Sequence, residues 1–515
     1  MSAHTPPPSL SMRLRLLLAA SLATAALRAQ TPDTTGTTPV APAPATVPST
    51  VPATPSVRPL TLDEAVALAL DKNFDLKIQR LATDSAGDSL IIAESAYDPT
   101  LSLTTARSYS QSIDGVTSQS GLDTRIGASQ KIATGATISG SGSLDRSSSR
   151  PSLSSSLNPV FNSDVSLSVR QPLLRGFGTT VNRAAINRAK LGVSIANLDL
   201  KDSVLATIRS VESAYYTLAF ARAQLDVRRF SLEVAEKLVS ENRTRVSVGS
   251  AIDLDVLQSE VGVANARRAL LQAEQTARNA EDNLVALINP FQFAVTPGPV
   301  VLPELGAITV SFDRSYKLAR DQAPDLASTQ LSIEQLKLDA AVAKKNQLPT
   351  LDVGAAFGYN ARKNNAGEAA SDVWGSDGHN WQLDATVSLP WGLRADKARH
   401  RQALSTLNRE QLRLQQLDQS ILVQVRSAIR AVETNDESVR IAALATKLSE
   451  EQFEAENARN QNGRSTFRAV QEAKEDLDTA RISELQARLA LTNALADLSR
   501  LEASSLTRYR INLDQ

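Results

Sequence analysis

The chain repeats itself, and that repeat limits what it can fold into. Asn73-Phe74-Asp75-Leu76 is answered by Ala323-Pro324-Asp325-Leu326, Pro99-Thr100-Leu101 by Pro349-Thr350-Leu351, and Tyr109 by Tyr359, each pair 250 positions apart. Farther on the offset shrinks: Pro172 pairs with Pro390 at 218, Ile208-Arg209-Ser210 with Val425-Arg426-Ser427 at 217, and Gly249 with Gly463 at 214. A single match arises by chance, but an ordered series with slowly drifting offsets marks an internal duplication. The large drop falls between the strands of each half, where the first half carries a longer insert. Two domains result, at about residues 60–290 and 310–506.

Each half runs helix, strand, strand, long helix, break, helix. The first helix is expected over residues 61–95, with Thr61 as its N-cap and Leu62, Ala65, Leu68 and Ala69 on one face. The strands alternate with period two. Leu101, Leu103 and Tyr109 oppose Thr100, Ser102 and Thr104; Leu351, Val353, Ala355, Phe357 and Tyr359 oppose Thr350, Asp352, Gly354, Ala356 and Gly358. Val165, Leu167 and Val169 oppose Ser166, Ser168 and Arg170, and Trp381, Leu383, Ala385, Val387 and Leu389 oppose Gln382, Asp384, Thr386 and Ser388. Each run has the roughly ten residues that a tilted strand needs to cross a bilayer. Alternation alone fits a membrane strand with lipid on one side and water on the other, and equally a soluble antiparallel sheet over a helical core. In the insert, weak alternation near residues 122–128 and 136–144 flanks Thr134-Gly135, a pattern that fits an added hairpin or a surface loop.

A very long helix comes after each second strand. The first is expected over residues 179–246, which at 1.5 Å per residue is ~100 Å. Ile195, Leu198, Leu205, Ile208, Val211, Tyr215, Leu218 and Leu225 recur three or four residues apart, as do Leu407, Leu414, Leu417, Ile421, Val425, Ala428 and Val432. So narrow a stripe is a coiled-coil seam. The helices break at matching places, around Gly249 and Gly463, where glycine supplies the left-handed residue that ends a helix. Ser250 or Asp253, and Ser465 or Thr466, are candidate caps for the returning helices. A helix-ending glycine is a common structural device. At the free end of a long hairpin it also marks a place where a partner docks or a pore closes.

The first 29 residues read as an export signal: Arg13 and Arg15 precede a short run of Leu and Ala ending in small residues; the alternative is a short membrane anchor, against which stands a run shorter than the ~20 residues a spanning helix needs. Residues 30–59 form a leader rich in Pro, Thr, Ala and Val that cannot bury a core. Beyond the signal no apolar run is long enough for a spanning helix, so any crossing of a membrane must use strands. Lys plus Arg and Asp plus Glu both number 55, which removes global electrostatic support for nucleic-acid binding. Cysteine is absent and the three histidines, His4, His379 and His400, are scattered. There is no phosphate loop, no Ser-His-Asp order and no metal-ligand spacing, so no catalytic, cofactor or metal residues are assigned and the chain is not expected to be an enzyme.

From about Leu60 to Leu506 the chain resembles the TolC-like outer-membrane efflux proteins. The resemblance rests on Leu60-Thr61-Leu62-Asp63-Glu64-Ala65-Val66-Ala67-Leu68-Ala69-Leu70, the Pro99-Thr100-Leu101 strand entry, Gln171-Pro172-Leu173-Leu174-Arg175-Gly176-Phe177-Gly178, and Gly249 followed by Asp255-Val256-Leu257. It implies a mainly α chain with membrane β: a homotrimer in outer-membrane lipid, about four strands per subunit in a 12-stranded barrel, continued by a long periplasmic α-helical barrel. It also implies a passive conduit energised by an inner-membrane pump through a periplasmic adaptor, in tripartite efflux or type I secretion. The tips, with Arg245, Gly249, Asp253, Asp255, Arg459, Gly463, Arg464 and Arg468, would form the aperture and docking site; Pro172 and Pro390 mark the strand–helix junctions. The family's tip pattern has an acid six residues after the glycine. Asp255 fits, but Ala469 stands at the second place, so a gate here would set Asp253 or Asp255 against Arg464 or Arg468. The other reading is a structural or adhesive coiled-coil protein of the cell envelope, without a pore.

Overall fold

In a computed structural model the described residues are 60–150, 158–249, 252–289, 291, 297–300, 302–303, 309–375 and 378–511, all within one compact unit, Val57–Gln515. The expected export signal and leader lie outside them, as does Ser250.

The first half opens with α1 (Leu62–Lys72) and α2 (Phe74–Glu94), not one continuous helix. Thr61 caps α1 as expected, in a reciprocal box with Glu64. The break falls at Asn73, whose extended backbone ends α1 and whose side-chain oxygen accepts from the Asp75 and Leu76 amides to start α2. The amide that caps a helix has also interrupted one, which a hydrophobic stripe cannot reveal. The second half repeats this with α6 (Phe312–Gln322) and α7 (Pro324–Lys345), parted at Ala323 with nearly the same backbone angles and Pro324 at the first helical position.

Six strands come next: β1 (Thr100–Gln111), β2 (Ser118–Lys131), β3 (Thr137–Arg150), β4 (Val160–Pro172), β5 (Thr350–Lys363) and β6 (Gly378–Ser388). They form one antiparallel sheet in simple sequence order. The mainly α class with a strand sheet is as expected, but the sheet holds six strands and not about four. The insert supplies the extra pair, β2 and β3, joined by a turn at Ile132–Ala136 closed by the Ile132 amide on the Ala136 carbonyl. Its alternation was weak in sequence because the outward positions of β3 include Gly140 and Gly142, which carry no hydrophobic signal. A short helix, α8 (Ala366–Asp372), sits between β5 and β6.

After β4 come the one-turn α3 (Thr179–Asn182) and α4 (Ala184–Ser247), and after β6 comes α9 (Arg394–Gln461). At 64 and 68 residues, the two long helices are each about 100 Å in length. Beyond the breaks, α5 (Asp253–Ile288) and α10 (Phe467–Leu501) return along them, and α11 (Ser504–Arg508) closes the described chain.

Two equivalent cores hold the halves. In the first, Ala65, Val66 and Ala69 of α1 meet Val204, Ile208 and Val211 of α4 and Ala277, Ala280 and Leu284 of α5. In the second, Ala319 of α6 meets Ile421, Val425, Ile429 and Val432 of α9 and Leu491, Ala494 and Leu498 of α10. The expected seam is thus buried at Leu205, Ile208, Val211, Leu218, Val425 and Val432. Small residues on the short helices let the long ones approach closely, and each buried Leu, Ile or Val contributes roughly 1.5–3 kcal/mol.

Candidate functional site

The register divides the sheet into two chemically different faces. One row runs Leu101, Ala128, Gly140, Leu167, Phe357 and Trp381 from β1 to β6; the next runs Leu103, Ile126, Gly142, Val165, Tyr359 and His379. Leu101 is 82% exposed, Leu383 71% and Leu167 58%. So much bare apolar surface on a pleated sheet needs an apolar neighbour. The opposite face carries Ser102, Thr104, Arg125, Ser141, Ser143, Asp164, Ser166, Arg170 and Asp384. It is tied by hydroxyl and ionic contacts: Ser141 to Ser166 at 2.9 Å, Arg170 to Asp384 at 3.4 Å and Arg125 to Asp123 at 3.7 Å. A sheet apolar on one side and polar on the other across every strand suits lipid against one face and water against the other. Trp374, just beyond α8, lies exposed over the apolar face beside Leu101 and Phe357.

The junctions bracket the sheet's helix-proximal end. Pro172 is the last residue of β4. The chain then stays attached to β5 through the Leu173 amide on the Leu351 carbonyl, 2.7 Å, and the Arg175 amide on the Pro349 carbonyl, 3.2 Å. Arg175 also reaches the buried Asp396 in the first turn of α9, 3.3 Å, which Arg399 holds from the other side at 3.0 Å. Pro390 accepts from the Leu393 amide, and Gly392 and Leu393, both at positive φ, turn the chain into α9.

The tips match closely in backbone. Gly249 has φ +73° and Gly463 φ +71°, and a methyl group on either would meet nothing within 4 Å. Asp253 is the first residue of α5 and does not cap it; Ile252 holds the cap position and donates its amide to Asp255, 3.3 Å. Both acids therefore sit in the positive first turn of the helix. Thr466 is the cap of α10, accepting from the Ala469 amide at 3.3 Å, while the Ser465 hydroxyl donates to Glu456 at 2.6 Å. That hydrogen bond, together with Arg459 at 2.8 Å, holds the Glu456 carboxyl below its ordinary range. Within the chain Arg468 pairs with Glu472, 2.9 Å. The two tips are clamped by Arg245, which donates to the Asn460 side chain at 2.7 Å and its carbonyl at 3.3 Å; Asn460 in turn donates to the Ser465 carbonyl at 3.0 Å. Arg245 stood among the expected tip residues. Asn460, its partner, did not.

A second polar cluster went unread in the sequence. Inside the bundle Lys474 donates to Ser231 at 2.6 Å and to Asp478 at 3.1 Å, and Ser231 donates to Asp478 at 2.7 Å. All three are buried, and their ring of bonds joins α10 to α4. Among the described residues no group of His, Cys, Asp and Glu is placed to hold a metal ion, and no helix is long and apolar enough to cross a membrane.

The outer membrane efflux protein family model matches residues 65–290 and 315–503. The chain is 25% identical over 328 residues to the pyoverdine export outer membrane protein OpmQ of Pseudomonas aeruginosa; the match covers 61% of this chain and 65% of that relative. It is 23% identical over 333 residues to the outer membrane efflux protein BepC of Brucella suis, covering 63% and 68%. The fold is similar to that of the Campylobacter jejuni CmeC outer membrane channel, with TM-score 0.66 and 15% identity over 88% of this chain and 90% of that one. It is also similar to the open state of the Neisseria gonorrhoeae MtrE outer membrane channel, with TM-score 0.63 and 18% identity over 86% and 88%.

Proposed function

This chain belongs to the outer membrane efflux protein family, whose members are channels and not enzymes, and we propose that it is one subunit of a homotrimeric conduit from periplasm to exterior. The single observation that carries this reading is the two-faced sheet: an apolar band on one side, a hydroxyl-rich face on the other, and unpaired edges at β1 and β6. The paired α4–α5 and α9–α10 hairpins extend into the periplasm as the wall of a helical tube. Exposed Ile441, Leu444 and Leu448 on α9, and Ile78 and Leu81 on α2, support packing against other copies. The conduit takes its energy from an inner-membrane pump through a periplasmic adaptor that meets the tips, in tripartite efflux or type I secretion.

The aperture is held by the tips. Asp253 and Asp255 on one tip face Arg464 and Arg468 on another, and a closed ring trades the Asp255 cap and the Arg468–Glu472 pair for these contacts. Each exposed pair is worth only ~0–1 kcal/mol, and repetition around an axis is what makes the ring hold. The test is reconstitution in a planar bilayer: the expected result is a three-chain, outer-membrane-fractionating assembly that conducts ions, with higher conductance for Asp255→Ala and Arg468→Ala. A soluble product without conductance would overturn the conduit and favour a non-pore envelope coiled coil. A conducting assembly indifferent to both substitutions would sink the gate alone.

A further inference from the structure

Among the described residues β1 and β6 end the sheet with no partner on one side, and most residues along them are exposed. Bare backbone amides and carbonyls are too costly inside a bilayer, so these edges must be paired there. Six strands are too few to close on themselves, since membrane barrels begin at eight. Because the strands alternate in direction, β6 of one copy meets β1 of a second in antiparallel order, and repeating that step closes a ring. The faces agree across the joint: Leu101, Leu103 and Tyr109 on β1 and Trp381, Leu383 and Val387 on β6 present the same apolar side.

The added hairpin is a built part of this wall. β2 pairs with β1 over Ser118–Ser129, β3 pairs with β4 over Thr137–Ser147, and the two pair with each other from end to end. Ile126 and Ile138 fall on the apolar face, and Arg125, Ser141 and Ser143 on the polar one. Their turn is fastened to the strand–helix junction: the Gly178 amide and the Gln171 side chain both donate to the Thr134 carbonyl, at 3.1 and 3.3 Å. Gln130 also donates to the Tyr97 carbonyl at 3.2 Å. Gly135 has φ +96°, and a methyl group there would lie 2.5 Å from the Gly176 carbonyl oxygen, so the turn is fitted to its seat. A hairpin trailing in solvent has no use for such a fit.

We propose that three copies of this chain close an 18-stranded barrel, with β2 and β3 as wall strands whose polar face lines the bore. The proposal rests on the homotrimeric conduit. At a strand spacing of about 4.8 Å and a tilt of about 40°, the wall radius becomes about 18 Å, against about 12 Å for twelve strands. That places the outer end in the range of barrels with an open aqueous channel. It admits bulky polar cargo, and selection falls to the helical tips.

The deciding experiment is a map of the detergent-extracted full chain at a resolution that separates strands. Threefold symmetry with eighteen strands is expected. Threefold symmetry with twelve strands, the hairpin lying outside the wall, overturns this inference and leaves the conduit standing; any other symmetry overturns both. A second measurement needs no map. The chain contains no cysteine, so Ile126→Cys and Ser143→Cys can be labelled in intact membranes with a charged, membrane-impermeant thiol reagent. The polar-face Ser143→Cys is expected to react at least about tenfold faster than the lipid-face Ile126→Cys. Equal rates, as on a hairpin in water, would overturn the inference even if both variants assemble.

Discussion

The phenol of Tyr509 donates a 2.7 Å hydrogen bond to Oε1 of Glu212, tying the segment after α11 to the middle of α4. Glu212 is only 2% exposed. Burial pushes its carboxyl above the ordinary range, partly opposed by that hydrogen bond and by Arg508. Burial and the nearby Glu212 charge raise the neighbouring phenols as well, Tyr216 to about 12. A carboxyl raised on folding binds its proton more readily in the native state, so stability falls as pH climbs from the ordinary carboxylate value through the raised one. Replacing Tyr509 with Phe removes a bond that favours the charged form and raises the carboxyl further. We expect Tyr509→Phe to cost roughly 1–3 kcal/mol at pH 8 and clearly less at pH 4. Thermal unfolding of the helical signal in detergent at the two pH values checks this; a pH-independent loss would contradict it.

The Lys474–Ser231–Asp478 ring makes a different demand. Lys474→Ala leaves a buried carboxylate without its cation, a loss of roughly 3–5 kcal/mol. The double variant Lys474→Met, Asp478→Leu removes both charges at similar volume and is expected to unfold near the native temperature. Chemical unfolding of the two proteins side by side decides it, and a double variant as damaged as the single one would refute the expectation.

Adjacent positions on β4 should respond oppositely to charge. Leu167→Lys puts an ammonium on the apolar face, at a cost of about 2–4 kcal/mol near mid-bilayer. Ser166→Lys puts it on the polar face, where little is expected. The yield of folded protein in the outer-membrane fraction measures both, and similar yields would mean that the two faces do not see different solvents.

Arg245 clamps the two tips through Asn460. Arg245→Ala loses a hydrogen-bonded contact worth about 1–3 kcal/mol while leaving both left-handed glycines in place. Faster amide hydrogen exchange around residues 245–249 and 460–464 is expected, with the sheet unchanged. Exchange rates like those of the native chain would show that the tips are held by something else.

Much of this architecture was readable from spacing alone. The duplication, the seams at Leu205–Leu218 and Val425–Val432, strands β1, β4, β5 and β6, and the two breaks are all visible in periods of two and of three to four and in offsets that fall from 250 to 214 residues. What escaped reading has physical reasons. Asn73 ends and starts a helix with one side chain, in the midst of an unbroken apolar rhythm. The β2–β3 hairpin hides because glycine fills outward positions that a hydrophobic pattern needs. The Arg245–Asn460, Ser231–Lys474 and Ser231–Asp478 contacts join residues more than 200 positions apart, which no local pattern reports. Helix caps at the tips were half legible: Thr466 was among the candidates, whereas Ile252, with no side-chain acceptor, was not.

The two halves share their helices evenly but not their strands. The first contributes four strands between α2 and α4, the second only two between α7 and α9. With strands about 4.8 Å apart, the helices of the first half join the sheet about 14 Å from one another along its rim, and those of the second about 5 Å. A duplicated bundle thus hangs from unevenly spaced suspension points. The helices of the first half must therefore converge over a wider gap than those of the second, and the turn-rich segment from Pro172 to Asn182, with Gly176 and Gly178 at positive φ, is where the chain makes that change of direction.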